Sequence, residues 1–267
     1  MKYKYSLGVV FYKPKEEQIS NVLKYANYPW FRAIYVFDNS PQEISNMDFP
    51  EKVSYHFMGG NSGLSVPYNK MIVEAIAAKD DFLCLMDQDS CFEENEMRKI
   101  VDYIESYDNK KLDNVALVCP FIETEYRRNN TTKDEEYINW AINSGSFLNL
   151  EVIDKNKIHY DENVFLDGVD YDFGWSIKKQ GKKILRFNKA TLFQSFGYFR
   201  GGSTFAKHDA QRYYNIAHNR KYIFKKHYGM KGIVVAYLIN FRLFFRILLH
   251  EDSKTKKALA CIKGTLR

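Results

Sequence analysis

The chain has 267 residues, 45% of them hydrophobic, and a formal net charge of +6 with a pI near 8.9. The length suits one large α/β domain or a domain with an appendage, and the charge favours anionic partners: nucleotide, anionic lipid or nucleic acid. The four cysteines lie far apart with no Cys-x-x-Cys pair, which argues against a disulfide framework or a zinc site.

The opening residues Met1–Tyr5 lead into a short strand and not into a signal-peptide core, so a reducing cytoplasm is expected. Leu7 to Tyr12 reads as a first strand, closed by Pro14, and Glu16 to Tyr25 as a helix. Ala33 to Phe37 is a second strand that runs into Asp38-Asn39-Ser40-Pro41, which is turn chemistry. Val53 to Phe57 is a third strand, followed by the loop Gly59-Gly60-Asn61-Ser62-Gly63 and a helix from Val66 to Ala78. That loop is either a flexible connector or a close approach to ribose and phosphate. It lacks the residues of a P-loop or a dinucleotide fingerprint.

The apolar run Phe82-Leu83-Cys84-Leu85-Met86 reads as a buried fourth strand ending in Asp87-Gln88-Asp89. Residues i and i+2 of a strand share a side, so the two carboxylates converge where the strand leaves the core. Hard oxygen ligands there suit Mg²⁺ or Mn²⁺ carrying a diphosphate. Asp-x-Asp also occurs by chance in turns and solvated faces. A helix over Glu93–Tyr107 and a fifth strand over Val115–Val118 follow. The alternation of strands and helices predicts βαβ units and a mostly parallel sheet, with ligands beyond the carboxyl ends of the strands.

The second half opens with Asn143-Ser144-Gly145-Ser146. Asp167, Asp170 and Asp172 then precede a helix running to about Gln180. N-capping and dipole placement account for one or two of these aspartates. A carboxylate among Phe, Leu, Val and Trp can instead have its pKa adjusted for general-base work. From Asp209 the chain reads as helices mixing cations with aromatics. Arg242 and Arg246 lie one turn apart on an apolar segment, which either packs on the core with its arginines reaching outward or lies on an anionic membrane. The apolar stretch Gly232–Leu249 is interrupted by Asn240, Arg242 and Arg246, so no transmembrane helix is expected.

With these segments in order, the chain resembles the family 2 glycosyltransferases of GT-A fold, and more narrowly their bacterial rhamnosyltransferase branch. The resemblance rests on Val9–Tyr12, Phe37–Ser40, Gly59–Gly63 with Asn69, Leu85–Ser90, Asn143–Ser146, Asp167–Trp175, and Arg212-Tyr213-Tyr214 through Asn219-Arg220. It implies an α/β fold with a Rossmann-like, mostly parallel sheet flanked by helices. A GT-A domain would span 1–205, with a nucleotide-binding half to about 120 and an acceptor half from about 121, followed by a helical, membrane-associating segment over 206–267.

It also implies site residues. Phe11, Tyr12, Asp38, Asn39, Gly60, Asn61, Gly63, Asn69, Asp87 and Gln88 would hold the nucleotide sugar. Asp87 and Asp89 would hold Mg²⁺ or Mn²⁺. Asp170 matches the base, Asp172 a second acidic residue, and Asp167 is the runner-up base. Ser144, Gly145 and Trp175 would lie near the acceptor. Two positions depart from the pattern: Gln194, in Phe193–Gly197, stands about where many relatives have His, and His218 stands where an Arg is expected. The implied activity is inverting transfer of L-rhamnose from a dTDP donor to a lipid-linked glycan, on the cytoplasmic face of the membrane. One rival is transfer of galactofuranose or another sugar from a UDP donor. The other is a non-catalytic protein that binds membrane or nucleic acid through its basic tail. Zinc-finger spacing and an RNP-type motif are missing, which argues against nucleic acid as a partner. Oligomeric state stays open.

Overall fold

The structure, a computed structural model, describes residues 1–44, 48–194 and 208–267. In chain order its elements are β1 (Tyr5–Phe11), α1 (Glu16–Ala26), β2 (Phe31–Asp38), β3 (Val53–Phe57), α2 (Ser65–Ala77), β4 (Phe82–Asp87), α3 (Glu94–Ser106) and α4 (Asn109–Leu112). Then come β5 (Val115–Glu123), β6 (Glu135–Ile138), β7 (Ser146–Asn149), α5 (Leu150–Lys155), α6 (Val169–Lys179), β8 (Lys183–Phe193), α7 (Ala210–His250) and α8 (Lys254–Leu266).

The described strands form one sheet in the order β3-β2-β1-β4-β7-β5-β8-β6. The first four are mutually parallel, as the βαβ pattern predicts. β8 is parallel to β5, whereas β7 runs antiparallel between β4 and β5, and β6 antiparallel to β8. Six of the eight described strands therefore run the same way, so the sheet is mostly parallel as expected, with β7 and β6 reversed. β7, which no local pattern announced, is four residues that the polar stretch Asn143–Gly145 feeds back between two longer strands. A segment that short carries little periodicity of its own.

Alternation along β1 shows how the layers form. Tyr5, Leu7, Val9 and Phe11 enter the core under α1 and α3, while Val10 joins the core under α2, α5 and α6. Gly8 lies between them because Met71 fills its place: a β-carbon at Gly8 would come within 2.6 Å of the Met71 sulfur. Burying each such large side chain stabilises the fold by about 1.5–3 kcal/mol.

The C-terminal helices make a separate small core of Tyr213, Ala217, Leu243, Ile247, Ala258 and Cys261. α7 is not straight. Gly229 sits at φ 60°, ψ −140°, and the arms over 210–228 and 230–250 fold back antiparallel. Asn240 Nδ2 of the second arm donates to Ala217 O of the first at 3.0 Å, and Tyr213 donates to Glu251 at 2.7 Å. By length and composition alone α7 could cross a membrane, whereas the sequence reading expected no such helix. The interrupting Asn240 faces inward to the other arm, so the apolar face outside is longer than the uninterrupted run. The expected domain boundary near residue 205 lies outside the described residues.

Candidate active site

The parallel register brings Phe11 beside Asp38 and Val10 beside Asp87, so the carboxyl ends of β1, β2 and β4 form one rim. Asp87 and Asp89 leave that rim together. Burial, and then the neighbouring Asp89 charge, push the Asp87 carboxyl up to about 6, against stabilising hydrogen bonds from Gln194 and Tyr68. Tyr68 is an α2 residue, fully enclosed. Asp89 is exposed.

Asp170 lies in the first turn of α6 and faces the same space. Its carboxyl is pushed up to about 7 by burial and by the Asp87 charge, and the Asn143 backbone N–H, 3.1 Å away, partly opposes this. Its position does not come from capping. The N-cap is Gly168 at φ 95°, and no side chain caps the helix. The arrangement thus crowds negative charge into a half-dry corner, which a cation would relieve.

A divalent cation fits these residues. Gln194, where the resemblance would place His, donates its Nε2 to Asp87 Oδ2 at 3.2 Å, and its own Oε1 is buried with no hydrogen-bond partner. Two carboxylates and an amide oxygen are a hard-oxygen set suited to Mg²⁺ or Mn²⁺. Among the described residues no three His, Cys, Asp or Glu come together as a metal-binding group, the rim aspartates included, so the amide of Gln194 would have to complete the set. Ser90 Oγ and Asn143 Nδ2 are also buried without partners at this rim. Residues Ser195, Phe196 and Gly197, also in that segment, lie outside the described residues.

Several of the residues expected to touch ligand also brace the walls. Phe11 is 0% exposed in the core. Asp38 is fully enclosed, with Oδ1 accepting from Ser40 N at 2.8 Å and Oδ2 from the Tyr55 hydroxyl at 2.7 Å. Asn39 donates to Gly63 O at 2.6 Å and accepts from the Ser62 hydroxyl at 2.9 Å, so it tethers the glycine loop. Gly63, at φ 78°, is itself enclosed: a β-carbon there would meet Phe165 O at 2.2 Å. Asn69 clasps the Tyr160 backbone at 2.9 Å through both ends of its amide. Gln88 pairs with the backbone of Tyr12, accepting at 2.8 Å and donating at 3.2 Å, and locks the ends of β1 and β4 together. Ser144 Oγ accepts from Asp87 N at 3.2 Å, and Gly145 N donates to Leu85 O at 2.8 Å, so both support β4 from behind. Tyr12, Gly60, Asn61 and Asp89 remain at the accessible face of the rim; Tyr12 is 42% exposed, and Lys13 lies over its ring.

The three aspartates around the start of α6 separate. Asp172 is about 200° around the helix from Asp170. Lys226 Nζ at 2.8 Å and His227 Nε2 at 2.7 Å engage its two oxygens, so this buried carboxylate anchors α7 and is not placed as a second catalytic acid. Asp167 pairs with Arg212 at 3.2 Å. Trp175 meets Phe224, His227 and Tyr228 edge-on across the α6–α7 seam. A cleft of about 450 Å³ lies along that seam, and a second of about 520 Å³ runs along β5 and β6, reaching Ile142 beside Asn143. Sequence reasoning missed Tyr68, whose signal is visible only in the fold, and it singled out Asn143 within Asn143–Ser146 without giving it a role.

No model of a known protein family matches the chain, and no curated protein matches its sequence. Solved structures do match. S. aureus TarS 1–349 superposes with TM-score 0.60 at 12% identity, covering 98% of this chain and 80% of that one. The same protein in complex with UDP-GlcNAc gives 0.55 at 12% identity, covering 98% and 81%. GalNAc-T7 with UDP, GalNAc and Mn²⁺ gives 0.55 at 14% identity, covering 81% of this chain and 47% of that one. The sheet, its flanking helices and the C-terminal helices are those of the GT-A glycosyltransferase fold.

Proposed function

We propose that this chain transfers a sugar from a nucleoside diphosphate donor to a hydroxyl acceptor, with Asp170 as general base. One observation carries the reading: on a GT-A fold, Asp170 is buried beside Asp87 at the rim where such folds bind nucleotide sugars, and that burial together with the Asp87 charge raises its carboxyl. The acceptor hydroxyl attacks the anomeric carbon as its proton passes to Asp170. The bond from that carbon to the diphosphate oxygen breaks, and its electron pair leaves with the nucleotide. A single base and one displacement invert the anomeric centre, through an oxocarbenium-like transition state. Asp87, Asp89 and Gln194 would hold Mg²⁺ or Mn²⁺, which supplies charge neutralisation on the leaving diphosphate. Tyr12 at the rim offers a ring face to the base, and the backbone of half-buried Gly60 and exposed Asn61 offers contacts to ribose or phosphate.

dTDP-L-rhamnose is the donor implied by the sequence resemblance. A UDP-sugar is the second reading, supported by the UDP-GlcNAc bound in the TarS complex. The acceptor is a lipid-linked glycan, and the protein works peripherally on the cytoplasmic face of the membrane. The C-terminal helices support that placement: α7 and α8 contain no Asp or Glu. Incubation with a panel of dTDP- and UDP-sugars, with and without Mn²⁺, should release nucleoside diphosphate from one donor in a metal-dependent way. Absence of release from every donor with an acceptor extract present would overturn the reading.

A further inference from the structure

The cleft between α6 and α7 has a chemistry that the donor site does not use. Its walls are apolar and aromatic: Tyr171 and Trp175 from α6, with Ile216, Ile223 and Phe224 from the first arm of α7. One cation interrupts them. Arg220 is half-buried, and among the described residues its one hydrogen-bond partner is the neutral Asn240 Oδ1 at 2.6 Å. Burial pulls the Arg220 pKa below its ordinary value, with nearby Arg246 adding to this and the Asp167 charge, which makes no hydrogen bond to it, opposing it. A guanidinium has five donors in a planar fork, and one kept from water without a carboxylate is costly unless an anion completes it. Asp167 lines the same cleft, and its Oδ2 is buried with no hydrogen-bond donor. Asp167 lies three residues before Asp170, just ahead of the first turn of α6.

The second arm of α7 extends the apolar wall outward. Ile239 lines the cleft, and next to it Val234, Leu238, Phe241, Phe245 and Leu249 form an exposed stripe about 22 Å long at helical spacing. A bare phosphate would leave about 450 Å³ of apolar cleft empty, and an uncharged chain would leave Arg220 unmet.

We propose that this cleft binds the anionic, hydroxyl-bearing end of an aliphatic phosphate. The phosphate sits in the Arg220 fork, a headgroup hydroxyl donates to Asp167, and the chain runs past Trp175 and Ile239 to the exposed stripe. The assignment rests on the glycosyl-transfer reading for the headgroup's role as acceptor, but not for the binding itself.

The test uses monodecyl phosphate below its critical micelle concentration, with decyl maltoside and inorganic phosphate as separate arms, read by calorimetry and by tryptophan fluorescence on the full chain. Decyl phosphate should bind saturably and at least tenfold more tightly than either control. Arg220→Gln should weaken it about tenfold or more, Arg220→Lys should keep part of the affinity, and Trp175→Phe should remove the fluorescence change. A brominated-chain phosphate should quench wild-type fluorescence, which needs no variant to fold. Equal binding of decyl maltoside, equal binding of inorganic phosphate, or a well-folded Arg220→Gln with unchanged affinity overturns the assignment. Donor binding with Mn²⁺ is measured beside it. Donor uptake without decyl phosphate binding sinks the cleft alone, whereas decyl phosphate binding without donor uptake upholds the cleft and sinks the transfer reading.

Discussion

At the scale of single residues, Asp170 shows how a fold sets chemistry. Its carboxyl is pushed up to about 7 by burial and by Asp87, so it holds or releases a proton near neutrality. As a base it must be ionised. Turnover should therefore climb as pH rises through about 7 at low divalent cation, and the limb should move to lower pH as cation offsets the Asp87 charge. Asp170→Asn should lose about 10²–10⁴-fold in turnover while keeping donor binding. Near-wild-type turnover in that variant would remove Asp170 from the mechanism. Stability should move the other way. A carboxyl raised in the folded state contributes stability that is present below its ordinary value of 3.8 and lost as pH rises through about 7. At pH 8 without divalent cation, Asp170→Asn should therefore melt higher than the wild type, by a few degrees for each kcal/mol regained.

At the scale of elements, the reversal of α7 depends on one residue. Gly229 adopts φ 60°, ψ −140°, a conformation nearly closed to side-chain-bearing residues although nothing lies within 4 Å of its missing β-carbon. Gly229→Ala should thus cost about 1–3 kcal/mol through backbone strain alone and lower the melting temperature by several degrees. An unchanged melting curve would mean that the arms are joined differently. The close packing of α8 on the hairpin has a similar basis. Gly264 lets the Tyr214 carbonyl approach to within 2.3 Å of where a β-carbon would lie. These contacts hold Arg220 and Ile239 at the cleft, so helix packing and ligand chemistry are linked.

At the scale of the whole molecule, charge is divided. Asp209 to Arg267 holds thirteen basic and three acidic residues, although the entire chain carries only +6, so the remainder is net negative. The exposed stripe of the second α7 arm lies on this basic unit. A peripheral protein of this kind should float with vesicles containing phosphatidylglycerol, bind less at high salt, and bind neutral vesicles weakly. Phe241→Glu with Phe245→Glu should reduce flotation severalfold without unfolding the protein, because both side chains are exposed. A wild-type protein that stays soluble beside anionic vesicles would exclude this location.

Local pattern alone determined a good deal: β1 to β5, the helices between them, the exit of Asp87 and Asp89 from a buried strand, and the helix after Asp167. Apolar runs and helical periodicity are short-range, and each of these elements carries its own. Tertiary structure decided the rest. It inserted β7 antiparallel, folded α7 back at Gly229, sent Asp172 to Lys226 and Asp170 to the rim, and gave Asp38, Asn39, Asn69 and Gln88 bracing hydrogen bonds within the walls. Whether a polar side chain faces a ligand or a neighbouring strand depends on partners more than 20 residues away along the chain in most of these cases. Burial and satisfaction of hydrogen bonds are properties of the assembled core, and no sequence window contains them.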